Sequence, residues 1–79
     1  MSEERAFATR EDAERAADEY GADLGHVLAP RWHRLSGRMF AAVCSRCGAL
    51  AFVQRPAGVR GGLWYVEGAA VEEPCPGEG

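Results

Sequence analysis

The five residues Cys44-Ser45-Arg46-Cys47-Gly48 carry the densest chemistry in this 79-residue chain. A Cys-x-x-Cys at a tight turn aims two thiolates at one centre, about 2.3 Å from each sulfur when that centre is zinc. Backbone N–H groups of the turn can stabilise the negative sulfurs, and a glycine after the second cysteine allows the backbone that such a knuckle needs. Zinc takes four ligands in a tetrahedron. Cys44 and Cys47 supply two, and Cys75, 28 positions later, can supply a third. The chain has two histidines for the fourth place: His26, 18 positions before Cys44, and His33, 11 positions before it. Cys3His is a standard structural zinc set. His26 has the better local case, because Gly25 permits a sharp change of direction there and a helix end would support the ring. His33 sits in a more basic connector and is the alternative, with water or a partner's residue as the third option.

Other chemistries fit the same residues less well. A thioredoxin-like redox pair places its first cysteine at a helix N-terminus within a larger α/β fold. Here the residues after Cys47 are GALAFVQ, which read as a strand. A catalytic zinc keeps one position open for water and needs an acid or base beside it. Three cysteines and a histidine would fill the shell, and no acid occurs between residues 24 and 66. The nucleic-acid deaminase pattern needs His-x-Glu, but His26 is followed by Val27 and Leu28, and His33 by Arg34 and Leu35. GVRGG at 58–62 lacks the Lys-Ser/Thr ending of a phosphate loop. The expectation is therefore a structural zinc site in a protein that is not an enzyme.

Four stretches together resemble a known group. Gly-His at 25–26, AAVCSRCGALAFV at 41–53, EGAA at 67–70 and Cys-Pro at 75–76 look like small, zinc-ribbon-like single-domain proteins of actinobacteria and their phages. The resemblance covers about residues 20–76. It implies a zinc set of His26, Cys44, Cys47 and Cys75, and no particular activity.

The elements that must position these residues follow from the pattern. Thr9 can cap a helix with Asp12 at its third position, and Glu11 and Asp12 favour the positive helix end. Ala13, Ala16, Ala17, Tyr20, Leu24, Val27 and Leu28 recur at helical spacing. This predicts a helix over about 10–24, with Gly21 or Gly25 weakening or ending it and Pro30 closing it. APRWHRLSG, 29–37, reads as a connector. RMFAAVC and ALAFVQ read as two strands with the cysteines at the hairpin tip. RPAGVRGG is expected as a mobile loop, LWYV as a further strand, and Glu67-Gly68 as a turn or bulge before AAVEE. Cys75 follows at a strand end between two prolines. The expected fold is α+β: one N-terminal helix packed on a small antiparallel sheet, zinc-ribbon-like with a Cys-x-x-Cys knuckle. Residues 1–8 are expected as a flexible arm, 9–76 as one zinc-stabilised domain and 77–79 as a tail.

Composition limits the function classes. A single domain of this size, with much of its 47% hydrophobic content in alanine, buries little area and benefits from a metal or a partner. No run approaches a membrane span, the N-terminus does not read as a signal peptide, and the default location is the cytoplasm, where thiols stay reduced. Charge is segmented: -5 over residues 1–23, +6 over 24–66 and -4 over 67–79. All nine basic residues are arginine, which with abundant Ala and Gly points to a GC-rich genome. The leading expectation is a non-catalytic zinc-binding protein-interaction module, phage- or mobile-element-related, whose partner is a second copy or another protein. Its interaction residues would be Trp32, Arg46, Trp64 and Tyr65, with Phe40 and Phe52 as further aromatics. A three-stranded sheet with one helix covers one face, which would leave an aromatic set exposed unless loop 54–62 or the Trp32 connector folds over it. The alternative is a nucleic-acid-binding zinc ribbon using the basic segment 31–60.

Overall fold

The computed structural model describes residues 6–56 and 62–76. Helix α1, Arg10–Asp23, starts after Thr9, which is still extended and whose Oγ1 accepts the Asp12 N–H at 3.1 Å. Such a cap contributes about 1 kcal/mol. The helix ends in a Schellman motif: Gly25 N–H donates to Ala22 O at 3.0 Å and His26 N–H to Gly21 O at 2.8 Å. Gly25 takes φ of +88°, which a residue with a side chain adopts only under strain. Gly21 is buried inside the helix and does not end it. An added Cβ there would sit 3.2 Å from Ala70 O, so the missing side chain lets the C-terminal segment pack closely.

Five strands form one antiparallel sheet: β1 Ala6–Phe7, β2 His33–Ser36, β3 Met39–Val43, β4 Leu50–Gln54 and β5 Trp64–Glu67. Their order is β1-β5-β4-β3-β2. A short helix, α2 Ala69–Glu72, turns back at Gly68, where a Cβ would come within 2.5 Å of Leu50 O. The class is α+β, an N-terminal helix on a small antiparallel sheet with a Cys44-x-x-Cys47 knuckle, and the fold is zinc-ribbon-like.

Several elements differ from the sequence pattern. The connector contains β2, whose four residues are all exposed, so no period-2 burial pattern marks it. Ala6 and Phe7, placed in the expected arm, pair with Tyr65 and Trp64. AAVE forms a helical turn rather than leading into a strand, because Gly68 breaks the sheet direction and Ala70 and Val71 then face the core. Residues 57–61 of the expected mobile loop, 1–5 of the arm and the tail 77–79 lie outside the described residues.

Register sorts the two sheet faces. Phe40↔Val53, Ala42↔Ala51 and Val53↔Val66 share one face, and Ala41↔Phe52 and Gln54↔Tyr65 the other. Ala13 and Ala17 of α1 join Ala51, Val53, Trp64 and Val66 in the core. Its largest fully buried side chains are Val53, Val71 and Cys44. Such a core forms few dispersion contacts, and the molecule is only 15 Å across its thinnest direction. No helix among the described residues is long and apolar enough to cross a membrane.

Candidate metal centre

Four side chains from three separate stretches meet at one end of the sheet. The ligand atoms of His26, Cys44, Cys47 and Cys75 all lie within 4.8 Å of one another. Tetrahedral ligands at zinc bond lengths stand about 3.8 Å apart for a sulfur pair, and slightly closer for nitrogen and sulfur. His26 Nδ1 and Cys47 Sγ are 3.6 Å apart, at that spacing. The donor set, three sulfurs and one imidazole, suits zinc chemically.

Each ligand is held by its own backbone device. The Schellman N–H of His26 carries that residue off the helix end, and the side chain is buried, 4% exposed. Its Nε2–H donates to Glu73 O at 2.7 Å. That bond fixes the tautomer and leaves the Nδ1 lone pair toward Cys47, the second-sphere arrangement usual for a ligating histidine. The knuckle closes through Cys44 N–H to Ala49 O at 2.8 Å and Gly48 N–H to Cys44 O at 2.9 Å, with Gly48 at φ of +84°. Val27–Ala29 lies beside the knuckle: Leu28 bridges Cys44, and Ser45 N–H donates to Val27 O at 2.8 Å. Cys75 N–H donates to Leu24 O at 2.8 Å, which pins the C-terminal segment across the end of α1.

The electrostatics favour a thiolate before any metal arrives. Burial pushes the Cys44 thiol up, but N–H groups of Val27, Arg46 and Cys47 and the His26 ring outweigh it and hold the pKa down to about 5. Arg46 N–H lies 3.3 Å from that sulfur. Cys47 moves the other way: the Ala49 N–H favours its thiolate, yet burial and the neighbouring Cys75 and Cys44 sulfurs raise its pKa overall. The Glu73 carbonyl raises the His26 pKa, against the opposing effect of burial. One negative sulfur is thus held by the fold, and a second is discouraged until a cation joins it. A groove of about 610 Å³ against His26 and Cys47, walled by Ala69, Glu73, Pro74 and Pro76, opens the cluster to solvent and offers an entry path.

His33 is not part of the cluster. It stands exposed on β2 opposite Ala41, on the helix-free face. Trp64 is buried in the core, 9% exposed, under α1, which corrects its place among the interaction residues. Strand alternation alone leaves open which face the helix covers; it covers that of Trp64 and Val66. Trp32 and Phe40 are half-buried against the same core. Tyr65 is half-buried with Phe52 on the opposite face, and Arg46 is exposed on the knuckle. The Glu73 carbonyl and the Leu24 and Val27 anchors are functional backbone groups that residue types could not reveal; only the prolines around Cys75 hint at a fixed segment there.

No protein-family model, no curated protein and no solved structure matches this chain.

Proposed function

We propose that this chain is a zinc-stabilised, non-catalytic protein-interaction module of the cytoplasm, related to the small actinobacterial and phage proteins that its motifs resemble. The observation that carries the reading is the convergence of His26, Cys44, Cys47 and Cys75 within 4.8 Å. Four protein ligands complete a tetrahedron and leave no position for a reactive water. A metal there would join the end of α1, the β3–β4 hairpin and the C-terminal segment, where the alanine- and valine-rich core has least to offer. With the metal fully ligated, what remains for function is surface: Tyr65 and Phe52 on the helix-free face, and exposed arginines without ion pairs among the described residues.

Elemental analysis of protein purified without chelator should find about one zinc per chain, and a tagged copy should enrich a specific protein from its native cell. Absence of zinc removes the metal reading, and absence of any enriched protein removes the interaction reading. The second reading, a nucleic-acid-binding ribbon, draws on the same arginines. Gel shifts at two salt concentrations test it, since binding through phosphates weakens steeply as salt rises.

A further inference from the structure

The two edges of the sheet are unequal. Among the described residues, β1 offers two positions, whereas β2 is a four-residue strand, fully exposed, that pairs only with β3. No described residue hydrogen-bonds the outward row of β2 backbone groups. Arg34 lies in the strand, with Arg31 before it and Arg38 in the turn after it. None forms an ion pair among the described residues, and no acid occurs in β2, β3 or β4. Leu35, 55% exposed, sits where the register slips between Arg34 and Ser36.

We propose that the free edge of β2 receives an extended acidic segment of another protein as a sixth strand, with glutamate or aspartate side chains set against Arg31, Arg34 and Arg38 and an apolar residue against Leu35. Main-chain hydrogen bonds would supply the pairing, and the arginines the choice of partner. The charge that favours an acidic strand also disfavours a copy of this edge, because like charges across a ladder repel and an irregular, charged edge resists self-pairing. Nucleic acid fits less well. The rings nearest these arginines, Trp32, Phe40 and Trp64, pack into the core, and Arg10 and Arg55 cover the last two. That leaves the small His33 imidazole as the exposed ring beside the arginines among the described residues, a poor platform for base stacking.

This inference rests on the interaction-module reading, and its test separates the two. The probe is a fluorescein-labelled synthetic peptide of alternating glutamate and valine, titrated into the full zinc-loaded chain by fluorescence anisotropy. Saturable binding is expected, weakened about tenfold or more in the Arg34→Glu/Arg38→Glu variant. Zinc content should stay unchanged in that variant, since both residues are exposed. A similar loss is expected with unaltered protein when alternate peptide nitrogens are methylated, which removes the ladder donors and keeps the charge. The proposal is overturned if the peptide does not bind, or if methylation leaves affinity unchanged, since charge alone would then explain binding. Tighter binding of a thymidine oligonucleotide than of the peptide also overturns it, as does a self-associated chain that Arg34→Glu disperses. If the variant enriches the same cellular partner as the unaltered chain, the interaction reading stands and the β2 edge is the wrong surface.

Discussion

The two ends of the sheet are built on opposite principles. At the end reached by Val43, Leu50 and Glu67, the four candidate ligands converge and backbone bonds hold the segments that carry them: the Schellman turn, the knuckle and the Leu24–Cys75 bond. At the other end, Arg38 and Arg55 are joined through one backbone bond, Arg55 N–H to Arg38 O at 2.8 Å, and their charged groups have no acidic partner among the described residues. Arg10 at that end is tied to Glu14 at 3.1 Å and lies 4.3 Å from the Phe40 ring centroid, so it acts as a cover for the core. One end gathers three chain segments inward, and the other presents charge outward. The difference teaches that the two poles divide the work: His26, Cys44, Cys47 and Cys75 converge at one, whereas at the other Trp64 and Phe40 pack beneath a surface of arginines.

Substitutions should reveal that asymmetry. Cys44→Ser is expected to have the largest effect. Metal ligation contributes on the order of 10 kcal/mol to small structural zinc domains, against a total stability of roughly 5–15 kcal/mol. Loss of the circular dichroism signal together with zinc would show it; a folded, zinc-bearing variant would break the contrast between the poles. Trp64→Ala, at the arginine end but beneath α1, should cost about 3–5 kcal/mol in denaturant unfolding, because it removes the core's largest ring. Its ring centroid is 6.1 Å from that of Phe40, so Phe40 loses a neighbour too. A cost below 1 kcal/mol, on the order of a surface change, would show that this end is as open beneath as it is above.

His26→Ala and His33→Ala sharpen the comparison within one residue type. The first should lower zinc affinity beyond the roughly 100-fold attached to an outer-sphere partner, and the second should leave it unchanged. Competition with a chromophoric chelator measures both, and the reverse result would place the site elsewhere. Acidity acts on the same pole. Cys44, held at about 5, is already a thiolate at neutral pH, whereas Cys47 and His26, both raised, must give up protons to ligate. Zinc affinity should therefore climb with pH through the neutral range and collapse toward pH 5. The signs differ in the metal-free chain. The depressed Cys44 pKa contributes stability that is present above the ordinary thiol range and lost as pH falls through about 5. The raised His26 pKa contributes stability at low pH that is lost as pH rises through its folded value. A pH-independent affinity would contradict the ligand assignment. The smallest effect is expected for Arg46→Ala: its backbone N–H, which serves Cys44, remains, so unfolding should shift by no more than about 0.5 kcal/mol.

Local signals decided much of this protein in the sequence itself. Thr9 capping α1, the alanine stripe, the Cys44–Gly48 knuckle at a hairpin tip and Gly25 beside His26 all act within a few residues, so their types and spacing express the physics directly. The preference for His26 over His33 follows from the same source, since a glycine at the helix end fixes where the next residue goes. Only the tertiary structure decided what depends on distant partners. Strand alternation separates Trp64 from Tyr65 but does not say which face α1 covers. β2 lacks a burial pattern because both its faces are exposed, so nothing in HRLS marks it as a strand until Met39–Ala41 lies beside it. Cys75 reaches the knuckle only because Gly68 lets α2 fold back and Leu24 O holds the segment. The His26 tautomer depends on the Glu73 carbonyl, 47 residues away and a backbone atom common to every residue type. A residue's letter carries its side chain and its local backbone preference, whereas the direction of a remote carbonyl is set by the folded chain as a whole.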